Sequence, residues 1–231
     1  MPLGRLSVPP PGVVHLWYLD PVQLGNPLNQ DSASRHRLDG RQQRMLRRFY
    51  LRLLLGAYLG VPGKEISISR LVKGKPVLSG YPAGRPLDFS MANSDGCCLI
   101  GISSDSLLGV DMERVGRKVG NPVNLARRYF SPAEADEIAS LDISRRDEAF
   151  LFTWACKEAL VKGAGHGIAD QLNRFTVTCD PDQPPEVLAM QDDDPRAWRL
   201  ETVQPSARHI GAIALRHPEI RLETFRLLAR T

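Results

Sequence analysis

The stretch from residue 40 to residue 59 constrains this chain more than any other. Leu46, Phe49, Tyr50, Leu53 and Ala57 recur there at three- and four-residue intervals, which puts them on one face of an α-helix. At about 100° per residue, Arg41, Arg44, Arg48 and Arg52 fall on the opposite side as a narrow stripe. Gly60, Pro62 and Gly63 stop the helix. An apolar face of this width has to be buried against another element.

Strands are expected at Val13–Leu19, around Ile66–Ile68 and over Leu87–Ala92, with a turn at Lys73-Gly74-Lys75-Pro76. Cys97–Ser103 and Leu107–Glu113 read as two strands joined by a turn at Ser104-Asp105. A short helix follows over Val123–Tyr129. Ser131-Pro132-Ala133-Glu134 then combines an N-cap, a proline at the first helical position and an acid three residues after the cap, opening a helix to about Leu141. The next helix is expected from about Arg146 to Lys162, ended by Gly163. Strands near Phe175–Thr178, Trp198–Thr202, Ile210–Leu215 and Leu222–Leu228 complete an α+β pattern.

With 231 residues the chain can bury one large core or two small ones. No apolar run approaches the roughly 18 residues that a membrane span needs. Residues 1–12 carry three consecutive prolines and no apolar core, so a secretory signal is not expected. Cys97, Cys98, Cys156 and Cys179 show no C-x-x-C spacing, which argues against a zinc site or a disulfide framework and for a reduced, cytoplasmic protein. The net charge of +4 hides a local segregation. Arg35, Arg37, Arg41, Arg44, Arg47, Arg48 and Arg52 are opposed only by Asp39. Asp180, Asp182, Glu186, Asp192, Asp193 and Asp194 lie in a proline-rich stretch without a base, expected to be an exposed connection.

Two short motifs point to chemistry. Asp111-Met112-Glu113 ends a strand pattern, so both carboxylates point to one face while Met112 points to the other. Such hard oxygen donors suit Mg²⁺, although a lone D-x-E is more often a solvated strand end. Trp154, Glu158 and Lys162 share one helical row flanked by Lys157, an arrangement suited to a metal ligand beside an anion or, read alone, to an ordinary ion pair. The glycine-rich 163–167 stretch follows its helix instead of preceding it. It therefore lacks a phosphate-cradling loop, and His166 reads as solvated. The arginine stripe could meet phosphates, nucleic acid or solvent; Phe49 and Tyr50 lie on its buried side and do not support base stacking.

Taken together, Gly109-Val110-Asp111-Met112-Glu113 and Trp154-x-x-Lys157-Glu158-x-x-x-Lys162 resemble the paired signatures of the 4′-phosphopantetheinyl transferases. The length matches their larger, Sfp-type branch. The helix from Arg48 to Leu59, the Gly74-Lys75-Pro76 turn and Phe130-Ser131-x-x-Glu134 resemble further family segments in the same order. One stretch departs: Phe89-Ser90-Met91-Ala92-Asn93-Ser94 has Asn93 where the family carries a histidine that helps bind coenzyme A phosphate. Asparagine still donates a hydrogen bond but cannot carry charge.

The resemblance implies Mg²⁺-dependent transfer of 4′-phosphopantetheine from coenzyme A to a serine of an apo acyl or peptidyl carrier protein, releasing 3′,5′-ADP. It implies two similar, pseudo-symmetric α+β halves, residues 1–105 and 106–231, with the active site in the cleft between them. Asp111, Glu113 and Glu158 would hold the metal, Glu158 would serve as general base, and Lys162 would stabilise phosphate charge with Lys157 as a weaker candidate. Arg48 and Lys75 would bind the 3′-phosphate and adenine end, with Asn93 and Ser94 nearby and Arg41, Arg44 or Arg52 as substitutes. A monomer without nucleic-acid or membrane partners is expected. The competing readings are another Mg²⁺-dependent nucleotide or phosphodiester enzyme, a nucleic-acid-binding protein using the arginine stripe, and a non-catalytic carrier-binding relative.

Overall fold

The structure is a computed structural model that describes residues 3–24, 39–72, 74–80, 87–165 and 172–228. The first strand is β1 (Val13–Leu19), followed by a single turn of helix, α1 (Pro21–Leu24). The long helix α2 spans Gly40–Leu59, as its periodicity requires. A capping box at Asp39 and Gln42 starts it, and Gly60 stops it in the left-handed conformation, φ 70°. Its buried face is centred on Leu46, Tyr50, Leu54, Leu55 and Tyr58, turned slightly from the expected one, so that Phe49 and Leu53 are only half-buried. Arg35, Arg37 and His166 lie outside the described residues.

The hairpin β2 (Ser67–Arg70) and β3 (Pro76–Ser79) precedes β4 (Asp88–Ser94) and β5 (Cys97–Ser103). Then come β6 (Leu108–Arg114), α3 (Pro122–Tyr129), α4 (Pro132–Ser140) and α5 (Ile143–Ala164). The chain ends through β7 (Phe175–Val177), β8 (Val187–Met190), β9 (Arg199–Ser206), β10 (His209–Leu215) and β11 (Arg221–Arg226). Two expectations need correction. Helix α5 runs past Gly163 to Gly165, which takes the left-handed cap at φ 71°, while Gly163 is buried against the Trp198 ring. The acidic stretch is not merely a connection, because it contains β8, paired with β7.

The strands form the order β11-β1-β5-β4 in one sheet and β6-β10-β9 in another. Each sheet repeats one plan: a first strand, a long helix, a small hairpin, then two strands of which the last inserts beside the first. β1, α2, β2–β3, β4 and β5 follow it in the first half; β6, α5, β7–β8, β9 and β10 follow it in the second. The fold is therefore α+β with two similar halves. The turn after β5 joins strands of different sheets, since β5 pairs with β1 and β4 while β6 pairs with β10. At the end of the chain, β11 returns to lie parallel beside β1.

Alternation along the strands sets the layers. Trp17, Leu19, Phe89, Cys98, Ile100 and Ile102 face α2 in one core. Val14, Leu16, Leu99, Leu108, Val110, Met112 and Ile213 fill the space between the sheets. Ala212, Ala214 and Leu200 face α5 with Ala155, Ala159 and Leu160. The order is helix, sheet, sheet, helix.

Candidate active site

Strand β6 and helix α5 bring the paired motifs together. Leu108, Val110 and Met112 point into the inter-sheet core, so Gly109, Asp111 and Glu113 point to α5. Gly109 permits the contact: a Cβ there would collide with the Ala159 carbonyl oxygen and with the Gly163 backbone nitrogen. Helix backbone can therefore lie directly on strand backbone, and Glu158 and Lys162 come down beside the strand's two acids. Lys162 Nζ stands 2.6 Å from Asp111 Oδ1. Glu113 Oε2 lies 3.2 Å from Arg117 across one turn.

Glu158 is almost fully buried. Burial pushes its carboxyl up to about 7; Asp111 and Glu113 add to this and Lys162 opposes it. Burial also raises Glu113, against the pull of Arg117, with Asp111 again raising it and Lys162 lowering it. The three carboxylates and one ammonium thus share one electrostatic neighbourhood. Among the described residues, no group of three or more His, Cys, Asp or Glu is already placed to hold a metal ion. Asp111 and Glu113 instead hold the cations Lys162 and Arg117. Three hard oxygen donors in partial burial, two of them raised chiefly by burial, fit a divalent cation chemically once those side chains swing aside.

Two expected ligands are placed elsewhere. Lys157 faces away from Glu158 and is completely buried, its ammonium held by both oxygens of Glu134, Oε1 at 2.7 Å, and by the Phe175 carbonyl. Glu134 also accepts from the Ser131 and Val177 amides, at 2.8 Å each. Lys157 therefore ties α5 to α4 and β7, and no hydrogen on it is left for a phosphate. Adjacent positions on a helix point about 100° apart, which is why neighbouring residues of one motif serve opposite faces. Lys75 is likewise buried, with Nζ 2.7 Å from Asp88, 3.1 Å from the Leu108 carbonyl and 3.4 Å from the Gly163 carbonyl.

The remaining candidates sit on the first half. Arg41, Arg44 and Arg48 are exposed and line one cavity with Gln42 and Met45. Arg44 and Arg48 form no ion pair among the described residues. Asn93 is exposed and Ser94 half-buried at the end of β4, beside the Asp95-Gly96 turn. Asp88 and Ser90 of β4 accept from the amides of Leu108 and Val110, so β4 runs alongside β6 in the same direction. That direction carries Asn93 and Ser94 toward the end of β6 that bears Glu113. Sequence reasoning misses the structural pair of Lys157 and Glu134, although Glu134 stands in the capping box it does recognise.

The model of the 4′-phosphopantetheinyl transferase superfamily matches residues 107–214, the span that holds all three acids and Lys162. The chain is 28% identical over 216 residues to the 4′-phosphopantetheinyl transferase HetI of Nostoc sp., covering 87% of each chain. It is 30% identical over 167 residues to a putative 4′-phosphopantetheinyl transferase of Synechocystis sp., covering 70% of this chain and 64% of that one. Over residues 107–214 the chain belongs to this superfamily. The human L-aminoadipate-semialdehyde dehydrogenase-phosphopantetheinyl transferase is 24% identical over 192 residues, 76% of this chain and 61% of that protein. The comparisons give the class, a phosphopantetheinyl transferase, and the matched span contains the residues that meet between β6 and α5. No helix among the described residues is long and apolar enough to cross a membrane.

Proposed function

We propose that the β6–α5 site carries out the family's reaction, moving 4′-phosphopantetheine from coenzyme A to a serine of an apo acyl or peptidyl carrier protein. The observation that carries this reading is the grouping of Asp111, Glu113, Glu158 and Lys162 on facing surfaces of one strand and one helix. In the transfer, the serine oxygen bonds to the phosphorus of the phosphopantetheine arm. The bond from that phosphorus to the bridging oxygen breaks, and 3′,5′-ADP leaves. A Mg²⁺ ion bound by Asp111, Glu113 and Glu158 would supply Lewis-acid stabilisation of the pyrophosphate.

Glu158 takes the serine proton; a carboxyl held near 7 by burial is matched to accepting a proton at neutral pH. Lys162, released from Asp111, places its ammonium on the phosphate whose charge grows as the bond breaks. Arg44 and Arg48 hold the 3′-phosphate through their planar forks, with Asn93 and Ser94 as neutral donors alongside. The same reading assigns the chain to the Sfp-type branch, with halves dividing near residue 105, and makes it a cytoplasmic monomer. Four free, buried cysteines fit a reducing compartment.

Incubation with coenzyme A, Mg²⁺ and a panel of apo carriers tests the reading, with the carriers then weighed. A gain of the phosphopantetheine mass is expected in wild type. Glu158→Gln should lower turnover by about 10²–10⁴-fold without loss of fold. Absence of any mass gain on every carrier, or near-normal turnover by Glu158→Gln, would sink the assignment.

A further inference from the structure

The strand that carries Asp111 and Glu113 lies at an edge. Among the described residues β6 pairs with β10 on one side only, so the amides on its other side meet no main-chain ladder there. These amides are met by side chains of the other half. Asp88 Oδ2 accepts from the Leu108 amide at 2.9 Å, and Ser90 Oγ accepts from the Val110 amide at 3.0 Å. The two acceptors are two residues apart on β4 and the two donors two residues apart on β6, so side chains copy the spacing of a strand ladder. Lys75 closes the arrangement. Its Nζ has three hydrogens and three acceptors: Asp88, the Leu108 carbonyl at the start of β6 and the Gly163 carbonyl near the end of α5. One buried cation therefore grips both elements that carry the site, from a turn in the opposite half.

We infer that Lys75, Asp88 and Ser90 are positioning residues for the transfer, fixing where β6 presents Asp111 and Glu113 to Glu158 on α5. The inference rests on the transferase reading. Apolar packing alone does not set this position, because the inter-sheet contacts of Leu108, Val110 and Met112 are non-directional. The ladder to β10 fixes which residues of β6 face α5 but holds one edge of the strand; the bonds from Asp88, Ser90 and Lys75 hold the other edge against β4 and the end of α5. Lys75 touches no substrate in this role. It acts through the main chain of Leu108, three residues before Asp111, and of Gly163, one residue after Lys162.

The test uses full-length Lys75→Met, Ser90→Ala and Ser90→Thr, with three readouts. Amide hydrogen exchange should quicken at Val110 in Ser90→Ala and at Leu108 in Lys75→Met, by roughly tenfold or more. Ser90→Thr keeps the oxygen and should restore protection. Turnover should fall by on the order of 10–100-fold in Ser90→Ala and Lys75→Met, and recover in Ser90→Thr. The Kd for coenzyme A by calorimetry should stay within about threefold of wild type, a split that a direct ligand would not produce. Coenzyme A affinity lost in Lys75→Met with turnover kept at saturation would make Lys75 a ligand and overturn the inference. Unchanged Val110 exchange in Ser90→Ala, or failure of threonine to rescue, would do the same. If wild type modifies no carrier, the transferase reading fails, and the exchange data still decide whether these side chains hold β6.

Discussion

In the first half, the strand facing the long helix is β1, and its helix-side residues are His15, Trp17 and Leu19; in the second half, the equivalent face of β6 carries Gly109, Asp111 and Glu113. Both halves follow one topological plan, so the contrast comes from side chains. In the first, Trp17 Nε1 donates to Tyr58 Oη at 2.8 Å, and the same hydroxyl lies 2.8 Å from His15 Nδ1. Together with Tyr50 and Phe89 these bulky groups fill the space between strand and helix. In the second, glycine at 109 and 163 and alanines at 155, 159, 212 and 214 let α5 settle onto the sheet. Large side chains make a core; small ones bring the backbones close enough for charged side chains to meet along the edge. Fold alone does not place the function here.

The means of anchoring the helix differ too, and this gives the largest expected effect. Lys157→Met leaves Glu134 charged and buried without its cation and should cost about 3–5 kcal/mol in urea unfolding. Adding Glu134→Gln should recover part of that loss. The matched change in the first half, Tyr58→Phe, leaves two neutral partners short of one hydroxyl and should cost about 1–3 kcal/mol. Equal losses in the two halves would erase the distinction between a charged and a neutral anchor.

Gly109→Ala tests the close approach itself. The added methyl must push α5 off the strand, so about 3 kcal/mol of stability should go, along with most of the transfer activity. A variant with wild-type turnover would show that contact of the two backbones is not required.

The smallest effect is one of pH. Burial raises the Glu158 carboxyl to about 7 in the folded chain. The protonated group therefore favours folding at low pH, and this contribution disappears as pH climbs from the ordinary carboxylate range through about 7. Metal-free Glu158→Gln carries no such loss. Its stability relative to wild type should improve between pH 5 and pH 8 by on the order of 2 kcal/mol. A pH-independent difference would mean that Glu158 is not desolvated. No first-half residue facing α2 from β1 carries a carboxylate that would show this behaviour.

Much of the architecture is legible in the amino-acid sequence. The bounds of β1, α2 and β5 follow from apolar periodicity and from glycine stops, because those signals are local. Strand alternation puts Asp111 and Glu113 on one face, and helical spacing puts Glu158 and Lys162 on one row. β8 is not legible: four residues in an acidic, proline-rich stretch carry no alternation strong enough to stand out. Nor is the fate of the acids around it. Arg145 pairs with Asp180 and Asp182, Arg174 with Asp192 and Arg216 with Asp193, so partners distant in sequence neutralise what looks segregated along the chain. The end of α5 is hidden because Gly163 looks like a stop, yet the Trp198 ring closes over it.

Composition, periodicity and motif spacing are enough to establish the helices, most strands and the residues worth suspecting, since each depends on neighbours within a turn or two of chain. They cannot say which suspected lysine faces the chemistry. Lys157 and Lys162 look alike in the motif, and Lys75 resembles a free cation in an exposed turn. Burial separates them: Glu134 claims Lys157, the seam between the halves claims Lys75, and Lys162 alone reaches Asp111. A charge takes its role from the groups that surround it in space, and for these three lysines the partners lie 13 to 88 residues away.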